Sequence, residues 1–473
     1  MREDFVGRGE ELSRLGAHLE AVRGGRGRLV SVRGRRQAGK SRLIGEFVRR
    51  SGLPQLFATG SRQATLQRDL DGFVEDARLD CTLPGADGLT AGGFTSWEQA
   101  LRAVHAALPA AGPSIIVIDE FPWLLERDPG IDGTLQKLWD RLFEARPVLF
   151  VIIGSDLAVM EMLTGHDRPL FGRAREMVVE PFSVGDTARM LELDGDGTRA
   201  AEAFDAQLIT GGYPRLLLEW RRLGGLSAFL TEQLSDDNSE LLVTGQRILD
   251  AEFPRDLQAS GVLRAIGAGE RAFSAIASRA GVASTPLTRS LDLLAVKKVI
   301  AVDRPLAARA GTASRYRVAD PYLRFWLRFL ESAVVDIQRG RPDLAQARVA
   351  GGWAAYCGRA VEPLVRQALT RLAIDDPVLG GADSVGGWWP RSQIPEVDLV
   401  GVRPHGAANE VTFVGSIKWR DSEPFGQADL DHLLRDRVSV PGGDTAPPIA
   451  VTRTTTQVPG LPSYDPARLL QAW

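Results

Sequence analysis

Through the first third of the chain, short blocks rich in valine and isoleucine alternate with stretches of helical spacing. Residues 28–33, RLVSVR, read as a short strand, and Leu43, Ile44, Phe47 and Val48 fall on one side of the helix that follows. Ile115 to Ile118 form an unbroken β-branched run, the pattern of a parallel strand covered on both faces. PVLFVIIG, residues 147–154, is a second such run. Residues 175–255 keep helical spacing with few strand signals. Beyond them, FSAIASRAGVASTPLTRSLDLLAVKKVI reads as helix, turn, helix, strand. Gly281 suits the turn, Ser284 or Thr285 the N-cap, and Pro286 the first helical turn. Residues 299–303 and 315–319 then pair as a hairpin, which completes a winged helix-turn-helix pattern. Tyr322, Phe325, Trp326 and Phe329 recur at helix-face spacing, as packing residues do. From about residue 345 the order becomes helix, two strands, helix, strand.

These patterns predict an α/β chain of several domains. The expected boundaries are 1–170 for a parallel-sheet core, 171–257 for a helical lid and 258–320 for the winged helix. A connecting helix over 321–344 and a C-terminal α/β domain over 345–473 complete the chain.

Composition narrows the class. The chain is 473 residues long, 44% hydrophobic and 25% charged, as ordinary globular proteins are. No apolar run is long enough to cross a membrane, and MREDFVGRGEEL lacks an apolar signal core, so a cytoplasmic setting is expected. Cys81 and Cys357 form no metal-type pair, and the five histidines lack ligand spacing, which argues against a catalytic zinc. The net charge of −3 excludes a generally basic nucleic-acid binder. Residues 261–320 differ, with ten Lys/Arg against four Asp/Glu, so a local anionic partner such as duplex DNA is expected there. Thr288 and Arg289 would approach bases, and Lys297, Lys298, Arg315 and Arg317 would meet phosphates. The other reading is a module that packs against a protein, with the partner unidentified. Five lysines stand against 52 arginines, and two of the five, Lys40 and Lys418, sit at positions with chemical meaning.

The first position is GRRQAGKS, residues 34–41, which matches G-x-x-x-x-G-K-[ST] between a strand and a helix. Gly34 and Gly39 allow the backbone to turn several N–H groups toward one anion, and the helix start adds its positive dipole end. Gly34, Gln37, Ala38, Gly39, Lys40, Ser41 and Arg42 are therefore the candidate phosphate-binding residues. Lys40 would charge-pair with the β/γ-phosphates, and the Ser41 hydroxyl would serve Mg²⁺. PSIIVIDEFPWLL ends its strand in Asp119, suited to the metal shell, and Glu120, suited to polarising a water. Ser155, after the strand 147–154, either senses the γ-phosphate or caps the next helix.

FVGRGEELSRL, the GKS loop, VIDEFPWLL and ITGGYPRLLLEW together resemble prokaryotic and archaeal-type P-loop ATPases near the AAA+ and STAND groups. That resemblance covers roughly the first 330 residues. It implies a P-loop NTPase sheet that binds ATP or ADP with Mg²⁺. It places Phe5, Val6, Gly7 and Arg8 beside the adenine, and has Tyr213 and Pro214 approach the nucleotide from the lid. It makes Arg173 and Arg215 sensor or finger arginines.

The C-terminal segment resembles the PD-(D/E)xK nucleases. The carriers are a tryptophan pair, Trp388 and Trp389, the E-x-D of IPEVDLVGV and the lysine strand FVGSIKWRD. The resemblance assigns Glu362, Asp398 and Lys418 to the site. Alternation along the strand puts Ser416 and Lys418 on one face and Val411, Phe413 and Ile417 on the other, with Glu396 and Asp398 sharing a face. Ser416 stands where that family has an acid, so one metal-binding charge is missing. Three readings stay open: an inactive nuclease fold kept for binding, an active one that borrows Glu396, Glu423, Asp429 or Asp431, and a structural domain. Trp388 and Trp389 are read as packing rather than as base-stacking platforms.

Overall fold

The computed structural model describes residues 5–62, 65–193, 197–252, 257–307, 313–405 and 408–473. Two compact units divide the chain, residues 1–181 and 182–473.

The first unit is built on strands β1 (Arg28–Arg33), β2 (Gln55–Thr59), β3 (Ser114–Asp119), β4 (Val148–Gly154) and β5 (Ala174–Val178), all parallel, in the order β2-β3-β4-β1-β5. Every residue of β3 and β4 is buried, as their unbroken apolar runs require. Alternate side chains feed two separate cores. Ile116, Ile118, Phe150 and Ile152 pack on one face with Phe73, Trp97 and Leu135. Ile115, Val117, Leu149 and Val151 pack on the other with Leu43, Ile44 and Phe47 of the helix Lys40–Ser51. Burial on both faces, at roughly 1.5–3 kcal/mol per large aliphatic side chain, makes the sheet a rigid support for the loops at its C-terminal edge.

The second unit begins with the helices Val184–Met190, Ala200–Thr210, Pro214–Leu223, Leu226–Ser235 and Glu240–Glu252. Three more, Leu257–Gly267, Phe273–Ala280 and Ser284–Val296, are followed by an antiparallel pair, β6 (Ile300–Asp303) and β7 (Arg315–Val318). Of the segment 261–320, residues 308–312 lie outside the described set. The C-terminal sheet comprises β8 (Ser384–Trp388), β9 (Val397–His405), β10 (Ala408–Lys418), β11 (Pro448–Thr452) and β12 (Ser463–Tyr464), in the order β12-β11-β10-β9-β8. The pairs β8/β9 and β9/β10 are antiparallel, and β10/β11 is parallel. The helix Glu362–Leu372 precedes this sheet, and Gln427–Arg437 connects β10 to β11.

One strand departs from simple alternation. The β9/β10 register shifts between Val411 and Phe413, so Val411 packs in one cluster with Val400 and Val414. The expected grouping of Val411 with Phe413 is corrected accordingly, because a bulge inserts one residue and reverses the facing of what precedes it. The aromatic residues are packing groups, as read: Tyr322, Phe325, Trp326, Phe329, Trp388 and Trp389 are all buried.

Candidate functional site

The glycine loop follows β1, and the helix Lys40–Ser51 begins directly after it. Gln37 and Gly39 adopt left-handed backbone angles, with φ of 64° and 89°. Gly34 does not, and its need for glycine is a close approach: a Cβ there would lie 2.1 Å from the Val179 carbonyl oxygen. Lys40 is buried, and its Nζ donates to the carbonyls of Gly34 and Arg35, both at 2.9 Å. Burial pushes its pKa down to about 8, against the pull of Glu120 and Asp119, while Arg36 pushes it further down. Ser41 and Arg42 are exposed at the helix start.

β4 lies between β1 and β3, which brings three strand ends together. Asp119 closes β3, and its Oδ1 accepts the Glu120 N–H at 2.8 Å. Glu120 takes a left-handed φ of 52°, and the helix Phe121–Arg127 starts after it. The Ser155 hydroxyl, just past β4, donates to Glu120 Oε1 at 2.8 Å. Gly154 has no room for a side chain, since a Cβ would come within 2.5 Å of Met160 Sδ and 2.7 Å of Pro122 Cγ. The Arg36 guanidinium lies 6.0 Å from the ring centre of Trp123.

Arg8 is buried beneath the loop. It donates to the Ala38 carbonyl and to Glu11 Oε1, each at 2.7 Å, from a backbone with φ of 64°. Sequence reading grouped Arg8 with Val6 and Gly7 and gave no hint of the link to Ala38. Phe5 lies under the Arg50 guanidinium at 5.5 Å.

Arg173 falls elsewhere. It directly precedes β5, whose Ala174 pairs with Leu29 at the start of β1 and whose Val178 pairs with Arg33 at its end. That places Arg173 about five residues, roughly 16 Å, from the loop edge of the sheet. Its guanidinium is held by both oxygens of Asp140, at 2.7 and 2.9 Å. Arg173, expected as a sensor or finger arginine, is therefore held at the far end of β5 from its own glycine loop. Pro214 opens the helix Pro214–Leu223 in the second unit. The neighbouring Tyr213 is buried with its hydroxyl on Asp320, and Arg215 lies 3.4 Å from Glu240.

In the C-terminal sheet, Asp398 and Ser416 face each other across adjacent strands. Asp398 Oδ2 accepts from the Ser416 hydroxyl at 3.0 Å and from the Ile417 N–H at 2.8 Å. Lys418 Nζ lies 3.9 Å from Asp429, whose oxygens also accept from Arg420 at 2.9 Å and from the Gly426 N–H at 3.1 Å. Glu423 pairs with Arg420, and Asp431 accepts from Gln427.

Arginines hold the remaining acids. Glu362 is buried and accepts from Arg366 at 3.1 Å, and Arg366 also donates to the Asp398 carbonyl at 2.9 Å. Burial pushes the Glu362 carboxyl up, against Arg366 and Arg271. Glu396 pairs with Arg315 and, at 3.2 Å, with Arg271. Burial works to raise the Glu396 carboxyl, and Arg271, Arg315 and Arg366 outweigh it, leaving it below its ordinary value. Among the described residues, no group of three or more His, Cys, Asp or Glu is arranged to hold a metal ion. Arg315 is 5% exposed and Arg317 pairs with Asp303 at 3.1 Å, so neither stands ready for a DNA phosphate as the sequence suggested. Thr288, Arg289 and Lys298 are exposed. Arg271 was missed, and nothing in its local sequence marks it. Arg366 was detectable through its i,i+4 spacing from Glu362.

Comparison with known proteins gives two family matches. Residues 4–152 match the AAA ATPase domain family. Residues 326–429 match a family described as archaea bacterial proteins of unknown function. An uncharacterised protein of Methanocaldococcus jannaschii is 22% identical over 439 residues, which span 91% of this chain and 90% of the relative. A Walker-type ATPase of Pyrococcus abyssi is 21% identical with a TM-score of 0.48, over 69% of this chain and 97% of that one. The Aeropyrum pernix ORC2 protein, solved as ADPNP–ADP complexes, is 15% identical with a TM-score of 0.48, over 74% and 96%. No described helix is long and apolar enough to cross a membrane.

Proposed function

We propose that the chain binds ATP with Mg²⁺ in the first unit, hydrolyses it, and uses the nucleotide state to control a DNA-associated second unit. One arrangement carries this reading: Lys40, Asp119, Glu120 and Ser155 converge at the ends of β1, β3 and β4. The residues fit the metal–nucleotide pair. A buried lysine faces two carboxylates across a loop with two left-handed residues and a helix N-terminus, and its amine donates to the Gly34 and Arg35 carbonyls. Ser41 and Asp119 would hold Mg²⁺, which when bound neutralises charge on the β- and γ-phosphate oxygens.

Lys40 would leave the Gly34 and Arg35 carbonyls for the phosphates. Glu120 would orient and polarise the attacking water once its carboxylate is free of Ser155. Ser155 would then offer its hydroxyl to the γ-phosphate. Glu120→Gln is expected to bind ATP as the parent does and to turn it over at least about a hundredfold more slowly. Equal turnover of the two proteins would refute the assignment.

For the second unit, the net positive segment 261–320 supports binding of duplex DNA, with three helices and the β6–β7 pair forming a winged helix. The αβββαβ order of the C-terminal sheet supports a nuclease-like fold. The pairing of Glu362 and Glu396 with arginines favours an inactive state over a cutting one. Incubation of plasmid with Mg²⁺ or Mn²⁺, with and without ATP, should leave it intact. Cleavage that disappears in Asp398→Ala and Lys418→Ala would favour an ATP-regulated endonuclease instead.

A further inference from the structure

Two of the cations on the carboxylate cluster come from before the expected C-terminal domain, 345–473, and both belong to the basic segment 261–320. Arg271 precedes the helix Phe273–Ala280, and Arg315 opens β7. Arg315 is built into its place. It pairs with Glu396, its Nε donates to Gln393 Oε1 at 2.8 Å, and Nη2 donates to the Gln393 carbonyl at 3.3 Å. Its guanidinium lies 4.3 Å from the ring centre of Trp389. Arg271 adds contacts to Glu396 at 3.2 Å and to Glu362 at 3.8 Å.

Leu306 and Ala313, between β6 and β7, dock through their main chain as well. The Leu306 N–H donates to the Gly387 carbonyl at 2.9 Å, on edge strand β8. Trp389 Nε1 donates to the Ala313 carbonyl at 2.8 Å. The Leu306 side chain fills the space over Gly386, where a Cβ would come within 2.8 Å of its Cγ. So the element expected to meet DNA covers the acids instead.

The chemistry of that exchange is symmetrical. A guanidinium that accepts carboxylate oxygens as partners accepts phosphate oxygens equally well. Pairing two ions out of water returns little net stability, so a polyanion at high local charge density can compete for the arginines. We propose that Arg271 and Arg315 form a nucleic-acid phosphate site kept in store by Glu362 and Glu396, so that binding a duplex and uncovering the carboxylates are one event. This rests on the reading that the second unit binds duplex DNA.

The test is the affinity of the full chain for a fluorescent duplex at low salt, by anisotropy. Glu396→Gln removes the anion that holds both arginines, and it should bind about tenfold tighter than the parent, with a steeper salt dependence. A Leu306→Cys/Gly386→Cys pair, oxidised to pin the β6–β7 connection to β8, should bind at least about tenfold more weakly than its own reduced form. That comparison is made within one protein and does not depend on how Glu396→Gln folds. Equal binding by the oxidised and reduced forms would overturn the stored site while leaving DNA binding in place. Absence of binding by every form, Glu396→Gln included, would instead refute the DNA reading on which the site rests.

Discussion

Lys40 carries the clearest single-residue consequence. Its amine sits at about 8 because it is buried before a nucleotide arrives. Phosphates would hold it protonated, so binding above pH 8 must draw a proton from solvent. Affinity for ATP is expected to be flat below about pH 7.5 and to weaken about tenfold per pH unit above 8. Calorimetry in buffers of different ionisation enthalpy would detect the proton, and a flat profile to pH 9.5 would contradict the account. The same shift acts on stability in the opposite direction. The unfolded chain keeps this proton up to its ordinary 10.5 while the folded one loses it from about 8, so this group's contribution to stability rises between those values. Ser155 makes a second prediction. Its hydroxyl holds Glu120 Oε1 at 2.8 Å, so Ser155→Ala frees the carboxylate and, on the proposed reading, would also remove a γ-phosphate contact made in the transition state. A fall in kcat with ATP affinity unchanged is expected, and a change in affinity alone would count against a positioning role.

At the scale of elements, the parallel sheet was legible because its strands are unbroken β-branched runs, and burial on both faces leaves no other use for such runs. The strand ends were legible too, since GRRQAGKS, Asp119-Glu120 and Ser155 each close or follow one. Arg173 was not. Its distance from the loop is set by the register of β5 against β1, and pairing of strands far apart in sequence leaves no local trace. The bulge in β10 escaped for a similar reason, as period-2 counting assumes an unbroken ladder. Gly34 was recognised, but through backbone freedom rather than its closeness to Val179. That distinction is testable: Gly34→Ala must displace either the loop or the end of β5. A loss of about 1–3 kcal/mol in stability without nucleotide is expected, read by chemical denaturation. An unchanged midpoint would mean the approach is looser than 2.1 Å.

At the scale of the whole molecule, the second unit joins helices near its start to strands near its end. Asp205, on the helix Ala200–Thr210, is buried and accepts from the two terminal nitrogens of Arg453 at 2.8 and 2.7 Å. Trp419, one residue past β10, packs on Phe204 at 5.2 Å between ring centres. Sequence reading separated these as a lid and a C-terminal domain, because ion pairs spanning 248 residues leave no periodicity to detect. Asp205→Ala would leave the half-buried Arg453 guanidinium with Asp421 as its carboxylate partner and should cost about 1–3 kcal/mol, measured as unfolding of residues 182–473 in the full chain. A cost below 1 kcal/mol would mean that the two parts are stabilised independently.

The Leu306–Gly387 hydrogen bond has a bearing on solubility. β8 is an outer strand of its sheet, and Leu306, just past β6, bonds to its main chain. Lifting that connection would leave main-chain donors and acceptors open to another chain, the condition under which strands add edge to edge. Any variant or ligand that frees Arg315 should therefore also make the protein self-associate as concentration rises, visible by light scattering. Preparations in that state would have to be kept dilute.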